Sequence, residues 1–209
     1  MPKKLILVGG GGHCKSCIEV IESCTEFSIA GILDKDLGEH VLGYPIIGND
    51  ELIPRLVKEG YEFIITIGQI KSPSIRIKIY ESIRSCGGKL ATIIASSAYV
   101  SKHAIIGEGT IVMHGAFVNA DSEVGNNCII NTRAVLEHEV QVGDHCHIST
   151  NVVLNGNVQV GDRCFVGSGT IAHQGINIMA DTVIGAGSVM AKSLDQSGIY
   201  SGNPLKKLK

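Results

Sequence analysis

The chain has 209 residues, enough for one large domain or two small ones whose core folds without disulfides or a structural metal. With Lys+Arg 18 against Asp+Glu 20, the net charge of -2 offers neither the basic field that a nucleic-acid backbone needs nor a polybasic membrane anchor. Gly 26 with 4% aromatics and no Trp points to heavy use of turns, since average glycine usage is about 7%.

The first apolar run, Leu5-Ile6-Leu7-Val8, stops in Gly9-Gly10-Gly11-Gly12. It is too short for a signal-peptide core or a membrane span, which predicts a cytoplasmic protein. Cys17, Ile18, Val20 and Ile21 then recur at helical spacing. A second apolar run, Ile29 to Leu33, ends at Asp34, and Asn49-Asp50 caps a helix running through Leu56 and Val57. Phe63 to Ile67 ends at Gly68 and precedes a helix carrying Ile75, Ile77, Ile79 and Ile83. Strand and helix in alternation, with near-continuous apolar strands, predict a parallel sheet. Residues 1–88 are therefore read as a Rossmann-like domain.

From about residue 92 a period of six replaces the helical one. Every sixth residue from Ile94 to Met190 is apolar without an insertion, which chance would produce roughly once in a million. Glycine often follows the aliphatic residue, and a small residue fills the fifth place. This is the pattern of a hexapeptide β-helix, in which three hexads close one coil of about 18 residues. Residues 89–209 are read as a left-handed parallel β-helix. Cys128, Cys146 and Cys164 lie 18 residues apart and should form an inward column of thiols. Seven cysteines without secretory context read as free buried thiols, and Cys14-Lys15-Ser16-Cys17 as one helical turn of packed thiols.

Gly9, Gly10, Gly11, Gly12 and His13 lie between strand and helix, where backbone N–H groups and the helix dipole favour a phosphate. Cys14 stands where a third glycine of the dinucleotide fingerprint would be, so a merely tight turn is the competing reading. Asp34 is placed to meet a ribose or a base edge. Among the eight histidines, His138 stands between Glu137 and Glu139 on a polar turn. A carboxylate on one ring nitrogen orients the ring and raises the basicity of the other, as a general base requires; a solvated turn is the alternative. His138, His145 and His147 also invite a metal hypothesis, but their places in the hexad frame separate them, and no metal is expected.

The glycine turn through His13, Asn131-Thr132, Glu137-His138-Glu139, His147-Ile148-Ser149 and Asn155-Gly156-Asn157 together resemble the NeuD/PglD family of hexapeptide acyltransferases, over essentially the whole chain. The resemblance implies an acetyl-CoA-dependent sugar acetyltransferase of bacterial surface-glycan synthesis. Its members are typically homotrimers with active sites between subunits. It makes His138 the base, Glu139 its support, His147 a donor beside the thioester carbonyl, and Asn131 a substrate contact from the neighbouring subunit. It also places Gly156 and Ala186 along the coenzyme, Pro204, Lys206 and Lys207 near its adenine end and phosphates, and Gly9 to His13, Asp34 and Gly68 around the diphosphate of a UDP-sugar. Gln69-Ile70-Lys71-Ser72-Pro73 departs from the family, where asparagines follow the glycine. Glu139 resembles the arm that acetylates amino sugars on nitrogen. Asn131-Thr132-Arg133 and Ser149 to Gly156 look close to the arm that acetylates sialic acid on oxygen. A β-helix without catalysis and a metal-dependent lyase are the remaining alternatives.

Overall fold

The computed structural model describes residues 2–35 and 38–209. In the first unit β1 (Lys3–Val8) leads into α1 (Gly12–Glu22), then β2 (Phe27–Leu33), β3 (His40–Val41), β4 (Tyr44–Gly48), α2 (Ile53–Lys58), β5 (Glu62–Ile65), α3 (Ser74–Ser85) and β6 (Lys89–Leu90). The six strands form one sheet in the order β3-β4-β2-β1-β5-β6, parallel except for the β3–β4 pair. Leu5 to Val8 and Phe63 to Ile65 are buried, as strands covered on both faces must be. Asn49 Oδ1 accepts from Glu51 N at 3.0 Å and opens a 3-10 turn, Asp50–Leu52, before α2. The β3–β4 hairpin has no counterpart in the sequence reading. It turns on Leu42 (φ 47°) and Gly43 (φ 86°), and a leucine gives no turn signal.

Lys89–Leu90 still pairs with β5, and Ile93–Ile94 is the first strand of the β-helix, so the two units join between them. From there two-residue strands stack in parallel every 18 residues on three faces. The first face carries Ile93–Ile94, Ile111–Val112, Ile129–Ile130, His147–Ile148 and Phe165–Val166. It ends in Thr182–Ile184, Gly198–Ser201 and the antiparallel Lys206–Lys207. The second runs from Tyr99–Val100 through Phe117–Val118, Val135–Leu136, Val153–Leu154 and Ile171–Ala172 to Val189–Met190. The third runs from Ile105–Ile106 to Asn177–Ile178. Of the periodic aliphatic residues, only Ile94, Val100 and Ile106 are not buried, because they line the first coil and no coil lies beneath them.

The cysteine column forms as expected. Cys128, Cys146 and Cys164 are fully buried, and each thiol donates to a carbonyl of the next coil: Gly143 O at 3.1 Å, Gly161 O at 3.1 Å and Met179 O at 3.2 Å. Cys128 Sγ in turn accepts from the Cys146 amide at 3.3 Å, and Cys146 Sγ from the Cys164 amide at 3.4 Å. Cys14 and Cys17 pack inside α1 as free thiols.

The three faces differ in what lies against them. The outward residues of the first, Ile93, Ile111 and Ile129, share one core with Leu5, Leu7, Cys14, Cys17, Ile18 and Ile21 of the first unit. The third presents Glu123, Gln141, Gln159 and Asn177, all exposed. The second presents Tyr99 (53% exposed), Phe117 (36%), Val135, Val153, Ile171 (41%) and Val189, an apolar row along the whole prism. Tyr99 and Phe117 stack at 4.7 Å within it.

Burial raises the Cys17 pKa, and the hydrogen bonds with Cys128 and Cys164, more than burial, raise that of Cys146, so both withhold the thiolate. Alkylation of the native protein, mapped by peptide mass, should label exposed Cys86 first and half-buried Cys24 more slowly. Cys14, Cys17, Cys128, Cys146 and Cys164 should react only on unfolding. Labelling of Cys146 at the Cys86 rate would contradict the stack.

Candidate functional site

The carboxyl ends of β1, β2 and β5 open into a cleft of about 700 Å³ lined by Gly9, Gly11, Gly12, His13, Asp34, Gly68 and residues of α3. Gly9 is obligatory there. Its φ is +105°, and a Cβ would stand 2.3 Å from the Ile67 side chain. Gly10 N donates to Asp34 Oδ2 at 2.8 Å, so Asp34 braces the glycine turn as well as lining the cleft. Gly11 is the N-cap of α1 without a side-chain cap, which leaves the helix N-terminus facing the cleft as an anion would require. No atom lies within 4 Å of a Cβ built on Gly11 or Gly12. Burial, with the Arg76 charge as the next cause, holds His13 down at about 4, so its ring is neutral. The buried His13 Nε2 has no hydrogen-bond partner among the described residues.

The second group of residues sits where the second face meets the third. His138 follows Val135–Leu136, its side chain is 62% exposed, and its Nδ1 bonds Glu139 Oε2 at 3.0 Å. A carboxylate acceptor places the hydrogen on Nδ1 and leaves Nε2 as the basic nitrogen. The expected bracket of two carboxylates is corrected to one, because Glu137 Oε2 accepts instead from Asn119 Nδ2 at 2.9 Å. Glu139 has φ 61°, but so do its corner counterparts Arg133, His145 and Arg163, at 59° each. The conformation belongs to the corner and not to the site. Gly156, one coil on, makes room for the imidazole: a Cβ there would lie 2.5 Å from His138 Cε1. The space expected to admit pantetheine is filled by the His138 ring itself.

Asn131 lies on the opposite edge, where the first face meets the second, whereas His147 stands in the outward row of the first face, in the strand His147–Ile148, and not at a corner as its hexad place suggested. Asn131 Nδ2 donates to His147 Nε2 at 3.0 Å, while His147 Nδ1 donates to the Gln69 carbonyl at 2.6 Å. The ring is buried under the first unit, packs edge-on against Phe165, and lies 6.4 Å from the His13 ring. Burial holds its pKa at about 4. Both nitrogens are thus used within the chain, so the expected donation from His147 to a thioester carbonyl does not fit this arrangement. Gln69 was not among the expected site residues. It lies in the segment that departs from the family pattern, and that departure was its only signal.

Ala186 is exposed on the same first–second edge, several coils beyond Asn131. Pro204 tips the C-terminal hairpin. Lys206 is exposed, whereas Lys207 lies over the Tyr200 ring at 5.7 Å and donates to Gln196 Oε1 at 3.2 Å. Among the described residues no group of three His, Cys, Asp or Glu side chains could hold a metal ion. No helix among them is long and apolar enough to cross a membrane.

Residues 4–83 match the model of the PglD N-terminal domain. Residues 121–156 and 139–173 match the bacterial transferase hexapeptide model, and 157–191 the hexapeptide repeat of succinyl-transferase. A UDP-N-acetylbacillosamine N-acetyltransferase of Bacillus subtilis is 34% identical over 116 residues, a stretch covering 52% of this chain and 50% of that protein. The chain thus spans about half the length of that curated relative. The acetyltransferase domain of PglB from Neisseria gonorrhoeae in complex with acetyl coenzyme A superposes with a TM-score of 0.94 at 31% identity, covering 100% of both chains. PerB from Caulobacter crescentus, in complex with CoA and GDP-perosamine, superposes with a TM-score of 0.92 at 38% identity, covering 99% of this chain and 97% of that one. With a glycine-turn cleft built by one unit and a carboxylate-held imidazole on a hexapeptide prism built by the other, the chain belongs to the PglD-like family of hexapeptide-repeat sugar acetyltransferases.

Proposed function

We propose that this protein transfers the acetyl group of acetyl-CoA to the amino group of a nucleotide-linked amino sugar, in the cytoplasm, for surface-glycan synthesis. The observation that carries the reading is the exposed His138 imidazole, seated on Gly156 and held through Nδ1 by Glu139. His138 Nε2 takes the proton of the attacking amine as its nitrogen bonds to the acetyl carbon; the C–S bond breaks, and the imidazolium returns that proton to the departing sulfur, so that CoA leaves as its thiol. Glu139 orients the ring and favours the imidazolium that results. The α1 N-terminus, with Gly9 to His13, Asp34 and Gly68, holds the diphosphate end of the acceptor. Relatives acting on UDP- and GDP-linked sugars make an amine the acceptor, in preference to the hydroxyl of a sialic acid.

The working unit is a homotrimer. The coenzyme-side residues divide between two edges of the second face: His138 and Gly156 on one, Asn131 and Ala186 on the other, with His147 behind Asn131 on the first face. Packing a second copy on the Tyr99-Phe117-Ile171 row buries the uncovered apolar face and brings unlike edges of two protomers together. Acetyl-CoA then lies between subunits, with Pro204, Lys206 and Lys207 at its adenine end. Asn131 and His147 shape that edge through their mutual hydrogen bond.

His138→Ala should lower kcat about 10²–10⁴-fold with little change in acetyl-CoA affinity, and Glu139→Ala should cost less, as steady-state kinetics and separate coenzyme titration will show. Wild-type turnover by His138→Ala ends the mechanism. Gly11→Val places a branched side chain in open cleft space. UDP and GDP affinity should drop at least tenfold by calorimetry while the melting temperature holds. Sedimentation should give three times the 22.1 kDa chain mass, and Phe117→Asp should yield inactive monomers. His13 and His147 titrate near 4 instead of the ordinary 6.5, so folding stability is full above about pH 6.5, falls as the pH drops from there to about 4, and levels off below. Each ring contributes about 3 kcal/mol to that fall. Urea unfolding across this range checks it, and His147→Gln should remove part of the slope.

A further inference from the structure

Arg76 is 1% exposed, and no carboxylate pairs with it among the described residues. A buried guanidinium without an anion is costly, and an aliphatic side chain of similar length would fill the place. What the guanidinium does is join two units. Nη1 donates to Ile65 O at 3.0 Å and Ile67 O at 2.8 Å, at the end of β5; Nη2 donates to Asn127 O at 2.9 Å and Asn127 Oδ1 at 2.7 Å, on a corner of the β-helix. Two residues along from Ile67, Gln69 is 2% exposed, and its Nε2 donates to His145 O at 3.1 Å and Cys164 O at 3.4 Å, on neighbouring coils. The segment between these two anchors, Thr66-Ile67-Gly68, lines the nucleotide cleft.

We propose that Arg76 and Gln69 are a positioning pair that sets the nucleotide cleft at a fixed distance and angle from the β-helix, so that a sugar hanging from its anchored nucleotide arrives at the acyl-transfer edge. The inference rests on the function proposed above. Neither side chain touches the reacting atoms. The pair matters because base and anchor belong to different units, and a misplacement of about 1 Å between them costs on the order of 10²-fold in rate.

The test compares wild type with Arg76→Met, Arg76→Lys and Gln69→Ala. Calorimetry gives the affinities for UDP, GDP and CoA, and kinetics give kcat and KM for the nucleotide-linked amino sugar and for the same amino sugar without its nucleotide. In the variants each separate affinity stays within about twofold, and kcat on the nucleotide-linked acceptor falls about 10–100-fold. The slow rate on the free sugar, which uses no anchor, stays within about twofold, so the preference for the nucleotide-bearing acceptor collapses. Wild-type kcat on the nucleotide-linked sugar in a folded variant overturns the proposal, as does an equal loss on both acceptors. If Arg76→Met does not fold, Arg76→Lys and Gln69→Ala decide by the same criteria. A wild-type protein that acetylates no amino-sugar nucleotide overturns the functional reading itself, and this inference with it.

Discussion

Each coil of the β-helix hydrogen-bonds its backbone to the next, so residue i and residue i+18 must lie one above the other. That register is the constraint on which the remaining structure depends. It stacks Cys128, Cys146 and Cys164 into a ladder of thiols and amides. It also seats His138 on Gly156, one coil away at the same corner. A hexad carrying one residue more or less would turn every later side chain to another face. The base, its floor and the apolar rows would then part company together.

Register alone does not make three faces unlike. Their difference comes from the outward residue of each two-residue strand, and the fold disposes of each kind separately. The aliphatic outward row of the first face is buried by α1 and β1, and the polar row of the third stays in solvent. The apolar row of the second is left for another copy of the chain in the trimer we propose. The residues to which we assign acyl transfer occur along the margins of that second face, where two prisms would meet.

The first unit is joined to the prism by polar contacts as well as by the shared apolar core. At the seam Arg76, Gln69, Asn127, His145 and His147 exchange hydrogen bonds almost wholly with backbone carbonyls or with one another. Burial, with the Arg76 charge as a lesser cause, keeps His13 and His147 neutral. Two imidazoles near the cleft are thereby fixed in one protonation state over the physiological range, so neither competes with the exposed His138 for the acid–base role we propose for it.

Much of this was legible in the one-dimensional pattern. Alternation of strand and helix signals identified the parallel sheet, and the period of six identified the prism, because both report which face of a local element is buried and need no knowledge of distant partners. The glycine turn was readable for the same reason, since a strand, a turn and a helix start adjoin in the chain. The β3–β4 hairpin was not, because Leu42 takes a conformation that its side chain does not advertise. Nor could spacing reveal that Glu137 turns to Asn119 and leaves His138 to Glu139, or that Gly156 houses an imidazole. His147 is the clearest case. By the family resemblance it read as a donor toward the coenzyme, and only the fold, by bringing the carbonyl of Gln69 from 78 positions away onto its Nδ1, decided that its hydrogen is already given. The sequence by itself determined the periodic architecture and the chemical types at the site; tertiary contact decided which polar groups satisfy one another, because burial forces each donor to find an acceptor wherever the chain brings one.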